Sequence, residues 1–292
     1  MQLTIASGKG GTGKTTVAVN LALAAGNKQR VHFVDADVEE PNAHLFLKPA
    51  LNYTKQVGIP VPQVNQELCT GCGKCAQICE FNAIAAAGKT VITFPELCHG
   101  CGGCTYFCPE GAITEISREI GTLEAGQAEN IDFMHGRLNP GEALSPPLIK
   151  ALKDKINTSS TAIIDAPPGT SCPVVEAVSG CDFCLLVTEP TPFGLNDLGL
   201  SVQMLRKLDI PCGVVINRSD MGDKGVESYC QQEGIPVLAK IPWNRELARL
   251  YGRGETVVPH SRAWKTTFSE LWEKVLEAQI PKQPEKKGSK NI

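Results

Sequence analysis

The stretch QLTIASGKGGTGKTTVAVNLALAAG, Gln2 to Gly26, constrains the fold of this chain more than any other. A short apolar run ends in a glycine-rich turn, and Lys-Thr-Thr then opens a run with helical patterning. Gly8, Gly10, Gly11 and Gly13 let backbone N–H groups converge on an anion, and the following helix N-terminus adds favourable electrostatics. Lys14 stands where it meets the β- and γ-phosphates of a nucleotide, Thr15 where its hydroxyl ligates magnesium, and Thr12 and Thr16 complete the loop. Glycines alone would suit any tight strand–helix turn. With Lys-Thr, a strand before and a helix after, the pattern predicts an ATP site with Mg2+. Lys9 is an extra lysine that such a loop does not need.

Similar apolar runs recur along the chain. VHFVD (31–35), TAIID (161–165), FCLLVT (183–188), GVVIN (213–217) and VLAKI (237–241) read as strands. Helical patterns occupy 14–25, 145–156, 194–208, 223–233, 245–253 and 261–278. Near-continuous apolar strands separated by helices predict an α/β fold, a mostly parallel sheet covered on both faces. The last helix, with Trp264, Phe268, Leu271, Trp272 and Val275 on one face, is expected in the core. Its polar face mixes charges and lacks the basic bias of a membrane-surface helix.

Residues 61–116 break this rhythm and hold eight of the thirteen cysteines. The run CTGCGKCAQICEFNAI is followed by CHGCGGCTYFCPEGAI, the only internal repeat. Each half has the C-x2-C-x2-C-x3-C spacing of bacterial two-cluster ferredoxins, in which the fourth cysteine of each run ligates the other cluster. The expectation is two [4Fe–4S] clusters, one on Cys69, Cys72, Cys75 and Cys108, the other on Cys79, Cys98, Cys101 and Cys104. Zinc is the competing reading of paired C-x2-C sequences, less suited to two complete four-cysteine runs. Glu80 follows Cys79 where Pro109 follows Cys108, a departure from the ferredoxin pattern. An inserted ferredoxin-like α+β domain at 61–116 therefore splits an ATPase domain into 1–60 and 117–279, and 280–292 reads as a disordered basic tail.

With a formal charge of −3 the chain is not built for nonspecific nucleic-acid binding. It opens directly on a strand, and no apolar stretch has the length to span a bilayer, so a cytoplasmic protein without stable membrane insertion is expected. In such a reducing compartment, crowded cysteines point to metal and not to disulfides. Cys181, Cys184, Cys212 and Cys230 lie in apolar surroundings and read as core residues.

Further acidic residues suit the phosphate site. Asp165 ends an apolar strand, where a carboxylate holds magnesium through water. The following Pro167-Pro168-Gly169-Thr170 reads as a γ-phosphate sensor. Asp35 and Asp37 end the neighbouring strand, and Asp37 is the stronger candidate for orienting the attacking water. KGGTGKTT with its early lysine, DAD and DAPPGT resemble the deviant Walker A ATPases: MinD, ParA, the Mrp-type scaffold ATPases and the nitrogenase iron protein. The resemblance covers nearly all of the chain outside the cysteine block. It implies a P-loop NTPase fold and an ATP-sandwiched homodimer in which Lys9 reaches the partner's phosphates. It also implies that Asp37 positions water and that Asn217 reads the adenine, although a strand-end cap explains Asn217 equally. IPWNRELARLYGRGETVV, with Pro242, resembles the segment that frames the base. Cys172 has the offset from Asp165 of a cluster-ligating cysteine of the nitrogenase iron protein. Its companion ligand has no counterpart here, so Cys172 stands as a candidate thiol at the dimer interface.

An ATP switch with an inserted ferredoxin resembles one branch of the MinD superfamily. Three functions follow from the combination: ATP-gated electron transfer to a metalloprotein partner, assembly of a metallocofactor on a partner, or spatial organisation of a protein complex. The first two rank above the third, because eight ligands are a costly way to build a tether.

Overall fold

The computed structural model describes residues 1–157 and 159–279; the tail expected at 280–292 lies outside them. Among the described residues a nine-stranded sheet has the order β11-β10-β9-β1-β8-β2-β7-β6-β3. Six strands are those expected from the apolar runs: β1 (Gln2–Ala6), β2 (Val31–Asp35), β8 (Thr161–Asp165), β9 (Phe183–Thr188), β10 (Cys212–Asn217) and β11 (Val237–Ile241). They pair in parallel, and their burial on both faces explains why they read as continuous apolar runs.

Alternation along each strand sorts the core into two layers. Leu3, Ile5, Phe33, Ile163 and Leu185 face α1 (Lys14–Gly26) and α10 (Arg262–Ala278). The expected face of α10 is indeed inside: Phe268, Leu271, Trp272 and Val275 are buried. On the other side Val34, Ile164, Leu186 and Val214 pack in a layer that takes in side chains of α5 (Pro146–Lys153), α6 (Cys172–Val178), α7 (Pro192–Lys207) and α8 (Gly225–Gln232). The short helices α2 (Ala43–Leu47) and α9 (Arg245–Tyr251) follow β2 and β11.

Three strands were not expected. β3 (Ala50–Val64), β6 (Ile113–Ala128) and β7 (Ile131–Leu138) extend the sheet beyond β2. β7 pairs with β2 in parallel, and β6 and β3 then add antiparallel. The boundaries expected at 61 and 116 fall inside β3 and β6, which run as one antiparallel ribbon from Ala50↔Gln127 to Val64↔Ile113. Pro60 and Pro62 sit in β3, the outermost strand, where a missing N–H costs no ladder bond on the open side. The cysteine block hangs from the end of this ribbon. It contains α3 (Lys74–Ile78), β4 (Ile84–Ala87), β5 (Thr90–Thr93) and α4 (Gly103–Tyr106), with β4 and β5 forming a separate hairpin.

Candidate functional site

The parallel strands deliver their C-terminal ends to one edge, and the nucleotide loop sits there between β1 and α1. Gly11 and Gly13 have φ of 79° and 90°, values that favour glycine. A Cβ on Gly13 would lie 2.3 Å from Asn217 Nδ2, so the position has neither the conformation nor the space for another residue. Asn217 Nδ2 donates to the Thr12 carbonyl at 2.7 Å. The side chain predicted to read a base or cap a strand therefore braces the loop while also lining the cavity.

Lys14 Nζ donates to Asp165 Oδ1 at 2.8 Å, and Thr15 Oγ1 to Asp165 Oδ2 at 2.7 Å. Both Lys14 and Asp165 are buried. Burial alone would lower the Lys14 pKa, but Asp165 outweighs it, and the ammonium is held more firmly than in water. The two aspartates after β2 divide their work. Asp35 accepts N–H groups of Asp37, Asn42 and Ala43, so its oxygens are occupied in shaping the loop. Asp37 faces the cavity. Burial, opposed by Lys14 and reinforced by Asp165, pushes its carboxyl up to about 6.

The cavity is lined by Gly10, Gly11, Gly13, Lys14, Thr15, Thr16, Asp37, Pro168 and Pro242. Trp243 and Tyr251 line it as well, unforeseen from the sequence although Trp243 directly follows Pro242. Gly8 and Thr12 shape the loop from behind; a Cβ on Gly8 would meet the Asp197 carbonyl at 2.5 Å. Lys9 does not line the cavity. Its Nζ is 3.7 Å from Glu189 Oε2, and Glu189 also binds Arg218 at 2.5 Å. Glu189, at the end of β9, was not singled out by sequence.

The cysteine block forms two hollows. Cys69, Cys72, Cys75 and Cys108 line one, with Val64, Val91 and Ile113. Cys79, Cys98, Cys101 and Cys104 line the other, with Pro60, Pro62, Phe81 and His99. The fourth cysteine of each run thus crosses to the three of the other. The repeat is visible in the backbone: Gly71 and Gly73 match Gly100 and Gly102, all with φ between 68° and 74°. Ala83 N–H points at Cys79 Sγ and Ala112 N–H at Cys108 Sγ, each at 3.3 Å. Phe81 stacks on the exposed His99 with ring centroids 3.7 Å apart. Among the described residues no three His, Cys, Asp or Glu side chains converge tightly enough for a single metal ion.

Of the remaining cysteines, Cys181, Cys184 and Cys230 are buried as expected, whereas Cys212, also expected in the core, is half-buried opposite Cys184 where β10 pairs with β9. Burial pushes the Cys184 thiol well up, which makes it inert. Cys172 is exposed as the first residue of α6.

Taken together, the parallel sheet and the loop between β1 and α1 define a P-loop nucleotide-binding protein. The chain belongs to the CobQ/CobB/MinD/ParA nucleotide-binding domain family, whose profile matches residues 3–257, and it is a P-loop ATPase. An uncharacterised protein of Methanocaldococcus jannaschii is 30% identical over 280 residues, covering 95% of this chain and 97% of that protein. The iron–sulfur cluster carrier protein of Pyrococcus horikoshii is 26% identical over 301 residues, covering 94% of this chain and 85% of the relative. The solved structure of the septum site-determining protein MinD of Pyrococcus horikoshii, complexed with Mg-ADP, has the same fold. Its TM-score is 0.60 at 22% identity, over 94% of this chain and 95% of that one. No helix among the described residues is long and apolar enough to cross a membrane.

Proposed function

We propose that the chain is an ATP-dependent dimeric switch carrying two [4Fe–4S] clusters in a ferredoxin-like insertion. Nucleotide state then governs delivery of clusters or electrons to a metalloprotein or cofactor-assembly partner. The observation that carries this reading is the pair of hollows, each ringed by one complete set of four cysteines. Two hollows, each ringed by four thiols and each completed by a cysteine of the other run, suit the paired [4Fe–4S] pattern better than separate zinc sites. Left-handed glycines and amides aimed at sulfur are what a thiolate-ligated cluster needs for charge compensation. Such clusters supply one-electron chemistry when bound; the chain's part is to hold them with Cys69, Cys72, Cys75 and Cys108, and with Cys79, Cys98, Cys101 and Cys104.

At the nucleotide, Lys14 would contact the phosphate oxygens, and Thr15 and Asp165 would hold magnesium. Asp37 orients the attacking water, since the Asp35 oxygens are already engaged. Lys9 rests on Glu189 outside its own cavity, a position from which it serves the partner subunit's phosphates. Pro242 and Asn217 border the base, and Cys172 lies near the proposed closing surface. Delivery of clusters ranks above electron transfer because a relative matched over most of this chain is an iron–sulfur cluster carrier.

The test is anaerobic reconstitution followed by iron and sulfide analysis and EPR of the reduced protein. Wild type takes up iron and sulfide for two clusters. Cys108→Ser loses the signal of one cluster and retains the other. Stoichiometric zinc without a reducible cluster would overturn the reading.

A further inference from the structure

A row of polar side chains crosses the sheet from the nucleotide site toward the cysteine block. Asp165 on β8, Asp35 on β2, His135 on β7 and Glu124 on β6 are successive register partners. Asp165 holds Lys14 and Thr15, and Asp35 holds the N–H groups that start α2. His44, in α2, meets His135 edge-on, with ring centroids 5.1 Å apart and planes at 69°. His135 Nε2 lies 2.9 Å from Glu124 Oε2. The His135 side chain is only 2% exposed, and its Nδ1 has no partner.

An apolar residue would fill that space without leaving a polar atom unpaired, so packing alone does not account for an imidazole here. The loop between Asp35 and His44 is tied to β7 twice more. Leu138 N–H donates to the Val38 carbonyl at 2.8 Å. A Cβ on Gly136 would come within 2.7 Å of Val38 Cγ1, so loop and strand are in close contact. From Glu124, β6 leads back to Glu115, which meets Thr105 Oγ1 at 3.4 Å beside the second cysteine run.

We propose that His135 is a positioning residue that passes the placement of the loop 36–43 to β6, and through β6 to the cysteine block. This rests on the reading that nucleotide state governs the block. The loop carries Asp37 at the nucleotide and leads directly into His44 of α2 at the imidazole, so a shift at one end displaces the other. The His135–Glu124 bond then fixes β6 to that displacement at a side chain, in addition to the ladder bonds. The loop with α2 is the element that touches both Asp35 and His135, and so the one through which the coupling would run.

The experiment is amide hydrogen exchange on the full-length, cluster-loaded protein with and without Mg-AMPPNP. In wild type the nucleotide slows exchange in both 36–43 and 113–128, the latter by about fivefold, at the lower end of ordinary coupling between sites. In His135→Ala the response of 113–128 disappears, while 36–43 remains protected and AMPPNP affinity stays unchanged. Glu124→Ala, at a partly exposed carboxylate, has the same effect and decides the matter alone if His135→Ala does not fold. A response of 113–128 that persists in Glu124→Ala and in folded His135→Ala overturns the role of His135 and leaves the proposed coupling standing. If wild type protects 36–43 but shows no response at 113–128, the coupling itself fails, and the role of His135 with it.

Discussion

The parallel part of the sheet and the cysteine block solve the problem of staying folded in opposite ways. The parallel part buries whole aliphatic and aromatic side chains, with Phe33, Phe183, Phe268 and Trp272 almost fully enclosed. The cysteine block encloses little more than Cys75, Ile84, Val91 and Ile113, and it exposes Leu68, Leu97, Tyr106 and Phe107. So few buried side chains cannot offset the conformational entropy of ordering such a segment. Ligand bonds supply the difference in small metal-binding modules. One polypeptide thus joins a sheet with a large apolar core to a block with little core of its own, through the β3–β6 ribbon.

Removing the proposed clusters should have the most visible effect. Acid-labile sulfide release with chelation is expected to abolish exchange protection throughout 65–112 while ATP binding persists. Protection that survives in the apo protein would show that the small core suffices. Next in size, Lys9→Ala should abolish the ATP-dependent dimer of the Asp37→Ala protein by light scattering, with nucleotide still bound. A dimer that persists there would sink the proposed role of Lys9.

Gly13→Ala strikes the scaffold where it has no slack. The left-handed backbone costs roughly 1–2 kcal/mol for a residue with Cβ, and the Asn217 amide must also move away. ATP affinity by calorimetry should fall by about tenfold or more, each tenfold being about 1.4 kcal/mol. The fold itself should stand, since both core layers are untouched.

The pH profile gives a smaller and sharper test. In its proposed role Asp37 must be ionised to orient water, and burial first of all holds its carboxyl up at about 6. ATP turnover should therefore decline as pH falls through about 6, well above the range of an ordinary carboxylate. An acid limb near the ordinary range would remove Asp37 from this role. The smallest effect is expected for Asn217→Ala, which leaves the Thr12 carbonyl without its donor. Thermal unfolding should register about 1 kcal/mol.

The two regions also differed in how plainly they could be read. The six parallel strands and the helices between them follow from apolar runs that no exposed strand shares, and their ends fall within a few residues of expectation. β3, β6 and β7 escaped notice for different reasons. β3 and β6 are largely exposed over much of their length, whereas β7 is mostly buried but has its apolar run interrupted by Asp132, His135, Gly136 and Arg137. β3 carries two prolines and a polar first half, and β6 is rich in glutamate. An outer antiparallel ribbon needs only one buried face, so its pattern is weak and its composition resembles a loop. The insertion boundaries were consequently set inside strands. At the nucleotide site, Lys14, Thr15 and Asp165 were legible because phosphate chemistry restricts both residue type and spacing. Glu189, Trp243 and Tyr251 were not, because they reach the site from distant segments and belong to no fixed spacing.

By itself, the sequence determined the chemistry of both sites: a glycine-rich loop before Lys-Thr, and two cysteine runs with a fixed interval. Local spacing suffices for this, since turns around an anion or a set of thiol ligands are short-range geometry. The tertiary structure alone decided that the cysteine block hangs from the end of a continuous β3–β6 ribbon. It also decided that Asp35 is engaged with backbone while Asp37 faces the cavity, and that Lys9 rests on Glu189. It alone placed His135 between the nucleotide loop and β6. Lys9 and Glu189, or Asp35 and His135, are far apart in the chain, and only the folded sheet brings them together.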